Sequence, residues 1–219
     1  TAAIVRDVRG FQIPHNGANI ELLPFTLDEK TWNDWKAKSG PEVTDNYCWH
    51  PESKTVSAGS DGWMEVNLYP QGDLTPGNRG TVDIGSSNNS TSDIARQILY
   101  GISPADMAVH GGKIELDHCG TTSLNGDTGI SAGFKDELQA IIGYPRIIPI
   151  FRTVSGPGNN AMYEIICWQG IRICAVKLTG PMTKKHVTIQ MAPTVGPGMI
   201  PSTTTGTSSY VYSPAVLLE

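Results

Sequence analysis

The chain has 219 residues and a mass of 23.5 kDa, enough for one large domain or two small ones with a real core. Charged residues are only 17%, while Gly and Pro together reach about 18% against an average near 12%. That balance excludes a helical bundle or coiled coil and favours short strands joined by tight turns. A formal net charge of -5, with no basic run beyond Lys184-Lys185-His186, excludes binding to a nucleic-acid backbone, which needs a row of cations.

Two short apolar runs, residues 3–5 and 20–25, open the chain. Thr26 and Glu29 have the Thr-x-x-Glu spacing of a capping box and predict a helix through Lys38, stopped by Ser39-Gly40-Pro41, with Trp32 and Trp35 on one face. The polar stretch 40–62 contains one alternating run, 55–57, and residues 63–69 alternate with period two as a strand does. A turn-rich loop, 70–80, is the one point at which the domain would subdivide. Residues 81–84 predict a short strand, and 93–100 a helix capped by the Ser and Thr of 86–92 and closed by Gly101. Ser103-Pro104 opens a second short helix, with Pro at its first position. Residues 113–117 alternate as a strand, and Ser131 caps a helix over 133–142 that Gly143 and Pro145 stop.

The last third reads as β: 146–151, 161–168, 171–178 and 186–191. From Pro193 to Pro214 the chain is dominated by Pro, Gly, Ser and Thr and predicts a flexible tail or linker over 193–219. The expected fold is α+β: a strand-dominated single domain over 1–192 with about three short helices, followed by that tail. The longest apolar stretches, such as 146–151, fall far short of the roughly 18 residues that span a bilayer. The first residues lack the apolar block of a signal peptide and begin as though inside a strand, so a targeting segment upstream of this chain is expected.

Four cysteines, Cys48, Cys119, Cys167 and Cys174, make an even number without CxxC spacing. Cys167 and Cys174 flank the turn-like Trp168-Gln-Gly170, so a hairpin there would set them face to face as a bridge, leaving Cys48 and Cys119 as the second pair. Two disulfides would suit an oxidising compartment; four buried free thiols are the competing reading.

Gly129-Ile-Ser131-Ala-Gly133 matches G-x-S-x-G, the strained turn that exposes the nucleophile of serine hydrolases. The segment before it is turn-like, and only His186 follows to act as base, so a plain N-cap at Ser131 is the simpler reading. His110, Asp117, His118 and Cys119 offer zinc-type donors within ten residues. Placed on a strand, however, Asp117, His118 and Cys119 would alternate faces and not converge. Asn125-Gly-Asp-Thr-Gly129 lacks the spacing of a calcium loop. Gly156-Pro-Gly158 leads into a strand and so is no dinucleotide loop. The 86–92 loop, with Arg79 and Arg96 nearby, could hold an anion at a helix start but more simply caps it. Trp32, Trp35, Trp49, Trp63 and Trp168 would serve a sugar-stacking surface if exposed and a core if not. No complete catalytic apparatus assembles from these sets, and neither a metal nor a cofactor is expected.

Several longer phrases carry a resemblance: residues 80–98 (GTVDIGSSNNSTSDIARQI), 124–138 (LNGDTGISAGFKDEL), 154–161, 176–180 and 188–190. With them the chain resembles bacterial pilus-assembly proteins of the TadE/TadG-like group over about residues 1–195. The resemblance implies an exported domain of tight-adherence, Flp-type pili, held in the family by an N-terminal transmembrane helix that this chain lacks. It also implies an extracytoplasmic, cell-surface location and no catalytic residues. The partners it implies are other pilus or envelope proteins, or further copies of the chain, with no nucleic acid and a membrane reached only through the missing anchor. The expectation is therefore a non-enzymatic structural or interaction domain. A surface glycan- or ligand-binding module using exposed aromatics is the alternative, and a hydrolase built on Ser131 the third reading.

Overall fold

The computed structural model describes residues 3–4, 6–69, 80–85, 90–127, 132–156, 160–214 and 216–217. The first strands are β1 (Ala3–Ile4), β2 (Val8–Gln12), β3 (Leu27–Asp28), β4 (Tyr47–His50), β5 (Thr55–Ala58), β6 (Glu65–Tyr69) and β7 (Thr81–Val82). They are followed by β8 (Lys113–Glu115), β9 (Thr122–Asp127), β10 (Pro145–Ser155), β11 (Met162–Lys177) and β12 (His186–Met191). The last are β13 (Thr194–Val195), β14 (Met199–Pro201), β15 (Ser208–Ser209), β16 (Val211–Tyr212) and β17 (Val216–Leu217). Among the described residues there are four α-helices: α1 (Glu29–Lys36), α2 (Thr91–Tyr100), α3 (Pro104–Val109) and α4 (Lys135–Ala140). The chain is thus strand-dominated, and none of these helices is long and apolar enough to cross a membrane.

The 16-residue β11 organises the molecule. One of its edges pairs antiparallel with β10. Its other edge is shared in succession by β9, β15 and β12. β6 extends the sheet beyond β12, β7 beyond β9, and β3 beyond β10. Because β6 precedes and β7 follows residues 70–80, one sheet joins both sides of that loop; residues 70–79 themselves lie outside the described residues.

The sheet has two covered faces. On one, Ile148, Ile150, Cys167, Ile171, Ile173, Val187, Ile189, Val66 and Leu68 are buried beneath Trp32 and Trp35 of α1, Ile94 and Ile98 of α2 and Leu138 of α4. On the other, Ile147, Phe151, Tyr163, Ile165 and Trp168 pack against Val8 and Phe11 of β2, Ile114 of β8, Met199 of β14 and Val211. Ile165 and Cys167 are two apart yet lie on opposite faces. Ile150 pairs with Cys167 and Phe151 with Ile165, so Ile166 is the extra residue of a β-bulge that resets the alternation.

Three expectations are corrected. The hairpin at Trp168-Gln-Gly170 is absent, because β11 runs straight through it. A Cβ on Gly170 would lie 2.3 Å from the carbonyl oxygen of Tyr210 and 2.4 Å from that of Ala192, so this glycine marks a close backbone approach, not a turn. Over its described residues, 193–214 and 216–217, the segment from 193 is no tail. β13 pairs with β16, β14 with β2 and β15 with β11, and Thr194, Ser202, Ser208, Val211 and Ser213 are buried. Its few apolar residues suffice because its hydroxyls are used: the Ser208 hydroxyl accepts from Val8 N–H and donates to the Val211 carbonyl. Finally, Asp28 and not Thr26 caps α1, accepting from Thr31 N–H at 2.7 Å, while the buried Thr26 hydroxyl donates to the Pro149 carbonyl.

Candidate functional site

Beyond Trp168 and Gly170, the second face of the sheet turns polar. Arg172, two residues on, shares their face and pairs with Gln190 of β12, which pairs with Glu65 of β6. This row runs under the β4–β5 hairpin. Glu65, fully buried, accepts from Asn46 N–H at 2.7 Å and from Tyr47 N–H. Asp61 accepts from the N–H groups of Trp49 and Trp63, and Asp45 from Ser60 Oγ and the N–H groups of Asp61 and Gly62. Gln190 Nε2 donates between Asp61 and Glu65 at 3.2–3.4 Å. The carboxylates of Asp45, Asp61 and Glu65 converge within 4.8 Å, but their oxygens are already occupied by protein donors. The group is therefore a clasp on the 45–65 segment, not a vacant cation site. Burial pushes the Glu65 carboxyl up from its ordinary range, assisted by the negative charges of Asp45 and Asp61. Arg172, only 9% exposed, stacks on Trp49 with its guanidinium carbon 4.1 Å from the ring centroid, and its Nε and Nη1 have no hydrogen-bond partner.

A second polar locus lies at the edge of the small sheet β14-β2-β8. Ile13 N–H donates to Gly112 and Leu116 N–H to Arg9, so residues 112, 114 and 116 turn their backbone toward β2. Lys113 and Glu115 consequently turn theirs outward. A cleft of about 350 Å³ opens there, walled by β8, by Thr122–Leu124 of β9, and by Arg9, His110 and Asp117. Among the described residues no strand pairs with this edge of β8. Arg9 and Lys113 both bridge to Glu115, which sets alternating charge along the rim. His110 Nε2 is buried without a hydrogen-bond partner, and burial holds that imidazole's pKa below its ordinary value.

At the end of this cleft the chain turns. β8 stops at Glu115, and Asp117 N–H donates to the Thr121 carbonyl, so residues 117–120 form a turn and not the end of a strand. The argument that Asp117, His118 and Cys119 would alternate faces therefore fails: one ligand atom of each lies within 4.8 Å of the others, all exposed. His110 is not part of that group.

The four cysteines are free thiols. Cys167 and Cys174 lie seven residues apart on one strand, about 23 Å at 3.3 Å per residue, far beyond the Cα separation of roughly 7 Å that a disulfide tolerates. Burial pushes both thiols up to about 12. Cys48 is half-buried and Cys119 exposed. Ser131 and Arg79 lie outside the described residues, as do 86–89, 128–130 and 157–159. Ser90 caps α2, accepting from Asp93 N–H, and Arg96 grips Asp106 through two hydrogen bonds of 2.7 and 3.0 Å. Trp32, Trp35 and Trp168 are buried, Trp49 is covered by Arg172, and Trp63 is 48% exposed, edge-on to Tyr210. Sequence reasoning missed the Arg172–Gln190–Glu65 row altogether. Its only signal was a polar residue among apolar neighbours on each of three strands, β6, β11 and β12.

Comparisons with protein-family models, with curated proteins and with solved structures found no match to this chain.

Proposed function

We propose that the chain is a non-enzymatic interaction domain of a pilus-associated, exported cell-surface protein, and that it binds other pilus or envelope proteins by strand addition. The pilus context rests on the resemblance of the 80–98, 124–138 and 154–161 phrases. The observation that carries the binding mode is the outer edge of β8: Lys113 and Glu115 present their backbone groups to an open cleft whose far wall is β9. An extended segment entering that cleft would take main-chain hydrogen bonds from β8, and the charged rim of Arg9, Lys113, Glu115 and Asp117 would select its side chains.

The test is photocrosslinking from position 113 or 122 in cells that make the protein, with the adducts identified by mass spectrometry. Adducts containing pilus or envelope subunits are expected, and their loss on Glu115→Pro, which removes an outward N–H, would assign them to the edge. No adducts, or adducts only with unrelated proteins, would overturn the reading. So would turnover in a hydrolase screen that Ser131→Ala abolishes.

A glycan-binding role is the second reading, and the exposure of Trp63 favours it. It predicts glycan-array binding that Trp63→Ala removes.

A further inference from the structure

We propose that Asp117, His118 and Cys119 form a surface site for a thiophilic divalent transition-metal ion of the zinc class, a property separate from strand addition at the neighbouring cleft. The donor set is one carboxylate oxygen, one imidazole nitrogen and one sulfur, the combination that zinc accepts and that calcium and magnesium, which take oxygen, do not. The geometry suits it. His118 Nε2 and Cys119 Sγ are 3.3 Å apart. Two donors bound tetrahedrally at roughly 2.0–2.3 Å from one ion lie about 3.3–3.7 Å from each other. The carboxylate oxygen lies within 4.8 Å of both, a gap that rotation of an exposed side chain closes.

The turn holds the donors in place before any ion arrives. Asp117 Oδ1 accepts from Cys119 N–H at 2.8 Å and from Thr121 N–H at 3.1 Å, leaving Oδ2 for a metal. Gly120, at φ +79°, makes the reversal that returns the chain to Thr121. Backbone hydrogen bonds to ligating carboxylates of this kind orient metal ligands elsewhere. Three protein donors leave the fourth tetrahedral position to water. On binding, the Cys119 thiol releases its proton to solvent and the sulfur is bound as thiolate.

The experiment titrates the full, reduced, metal-free chain with zinc chloride against a chromophoric chelator, and separately with cobalt chloride, read by absorption. One ion per chain is expected, with a thiolate-to-cobalt charge-transfer band. Cys119→Ser should abolish the band, and His118→Ala should weaken zinc binding at least about tenfold, the lower end of what losing even an outer partner costs. Cys48→Ser should change neither. All three side chains are exposed, so circular dichroism should show the variants folded. Absence of one-to-one binding overturns the site, as does binding that survives in the Cys119→Ser/His118→Ala double variant, or that depends on Cys119 but not on His118. A Cys119 disulfide in the exported protein, seen as mass lost relative to the reduced chain, overturns it too.

Discussion

The two faces of the central sheet are buried by different means. The first lies under α1, α2 and α4, whose apolar stripes come from single stretches of chain: Trp32 and Trp35, Ile94 and Ile98, Leu138 and Ile141. The second lies under β2, β8 and the segment after Ala192 with β14, pieces drawn from both ends and the middle of the chain. It is also divided, apolar around Trp168 and polar along Arg172, Gln190 and Glu65. A helix brings its own backbone hydrogen bonds to the face it covers, whereas strands and loops must find theirs elsewhere. On the second face side chains serve the backbone of the covering strands and loops: Ser208 for Val8, Trp168 for the Arg9 carbonyl, Glu65 for Asn46.

Truncating one tryptophan on each face breaks this comparison most sharply. Trp35 is buried on the helical face and donates to the Met64 carbonyl. Trp168 is fully buried on the other, edge-on to Phe11 at 4.9 Å and bonded to Arg9. Either change to Ala should cost about 3–5 kcal/mol, as large aromatic deletions in cores do. The difference lies in what loosens. Trp168→Ala should open the segment after Ala192 to limited proteolysis under native conditions, and Trp35→Ala should leave it protected. Equal cleavage in the two variants would mean that the C-terminal segment is not held by the second face.

Gly170→Ala probes the same seam with a smaller change. Its new methyl would meet the Tyr210 and Ala192 carbonyls, backbone atoms on both sides that cannot move alone. The expected loss is about 1–3 kcal/mol, the usual cost of overpacking, read as a lower urea midpoint. An unchanged midpoint would show that the approach of 192 and 210 to β11 relaxes freely.

These residues also mark how much of the molecule could be read from the chain. The helices at 93–100 and 104–109, the strands at 65–69 and 186–191, and the burial of Trp32 and Trp35 follow from period and capping, which involve neighbours a few residues apart. Gly170 and the segment after Ala192 were misread because their meaning lies across the fold. A glycine beside Gln169 looks the same whether it turns the chain or admits a carbonyl from residue 210. A Ser- and Thr-rich stretch looks solvated until its hydroxyls are seen to bond buried backbone. The convergence at Asp117 was missed for a local reason, since the alternation of 113–117 hid a carboxylate that ends its own strand by accepting from Cys119 and Thr121.

Asp106 sharpens the comparison on the periphery, where helix chemistry and ion pairing coincide. It completes the capping box of α3 with Ser103 and receives both nitrogens of the Arg96 fork. Burial pushes its pKa up, but the Arg96 and Ser103 donors together outweigh burial and hold it below the ordinary value. A lowered carboxylate pKa contributes stability that is present above the unfolded-state value and lost as pH falls through the folded one. Asp106→Asn should therefore cost about 1–2 kcal/mol at neutral pH, with the gap from the parent protein narrowing in acid. A gap that stays constant with pH would mean that the carboxylate's charge contributes nothing.

Glu65 should show the opposite slope, and by the smallest margin. Its folded pKa is raised, chiefly by burial, so its contribution is present below the unfolded-state pKa and is lost as pH rises through the folded one. The parent protein should lose stability relative to Glu65→Gln as pH climbs out of the acid range, in urea melts at constant ionic strength. Subtracting the two curves removes Asp106, whose lowered value acts with the other sign. A difference that rises with pH would show the N–H groups of Asn46 and Tyr47 outweighing desolvation. The polar half of the second face would then be a net stabiliser at neutral pH, and not a cost that the rest of the core offsets.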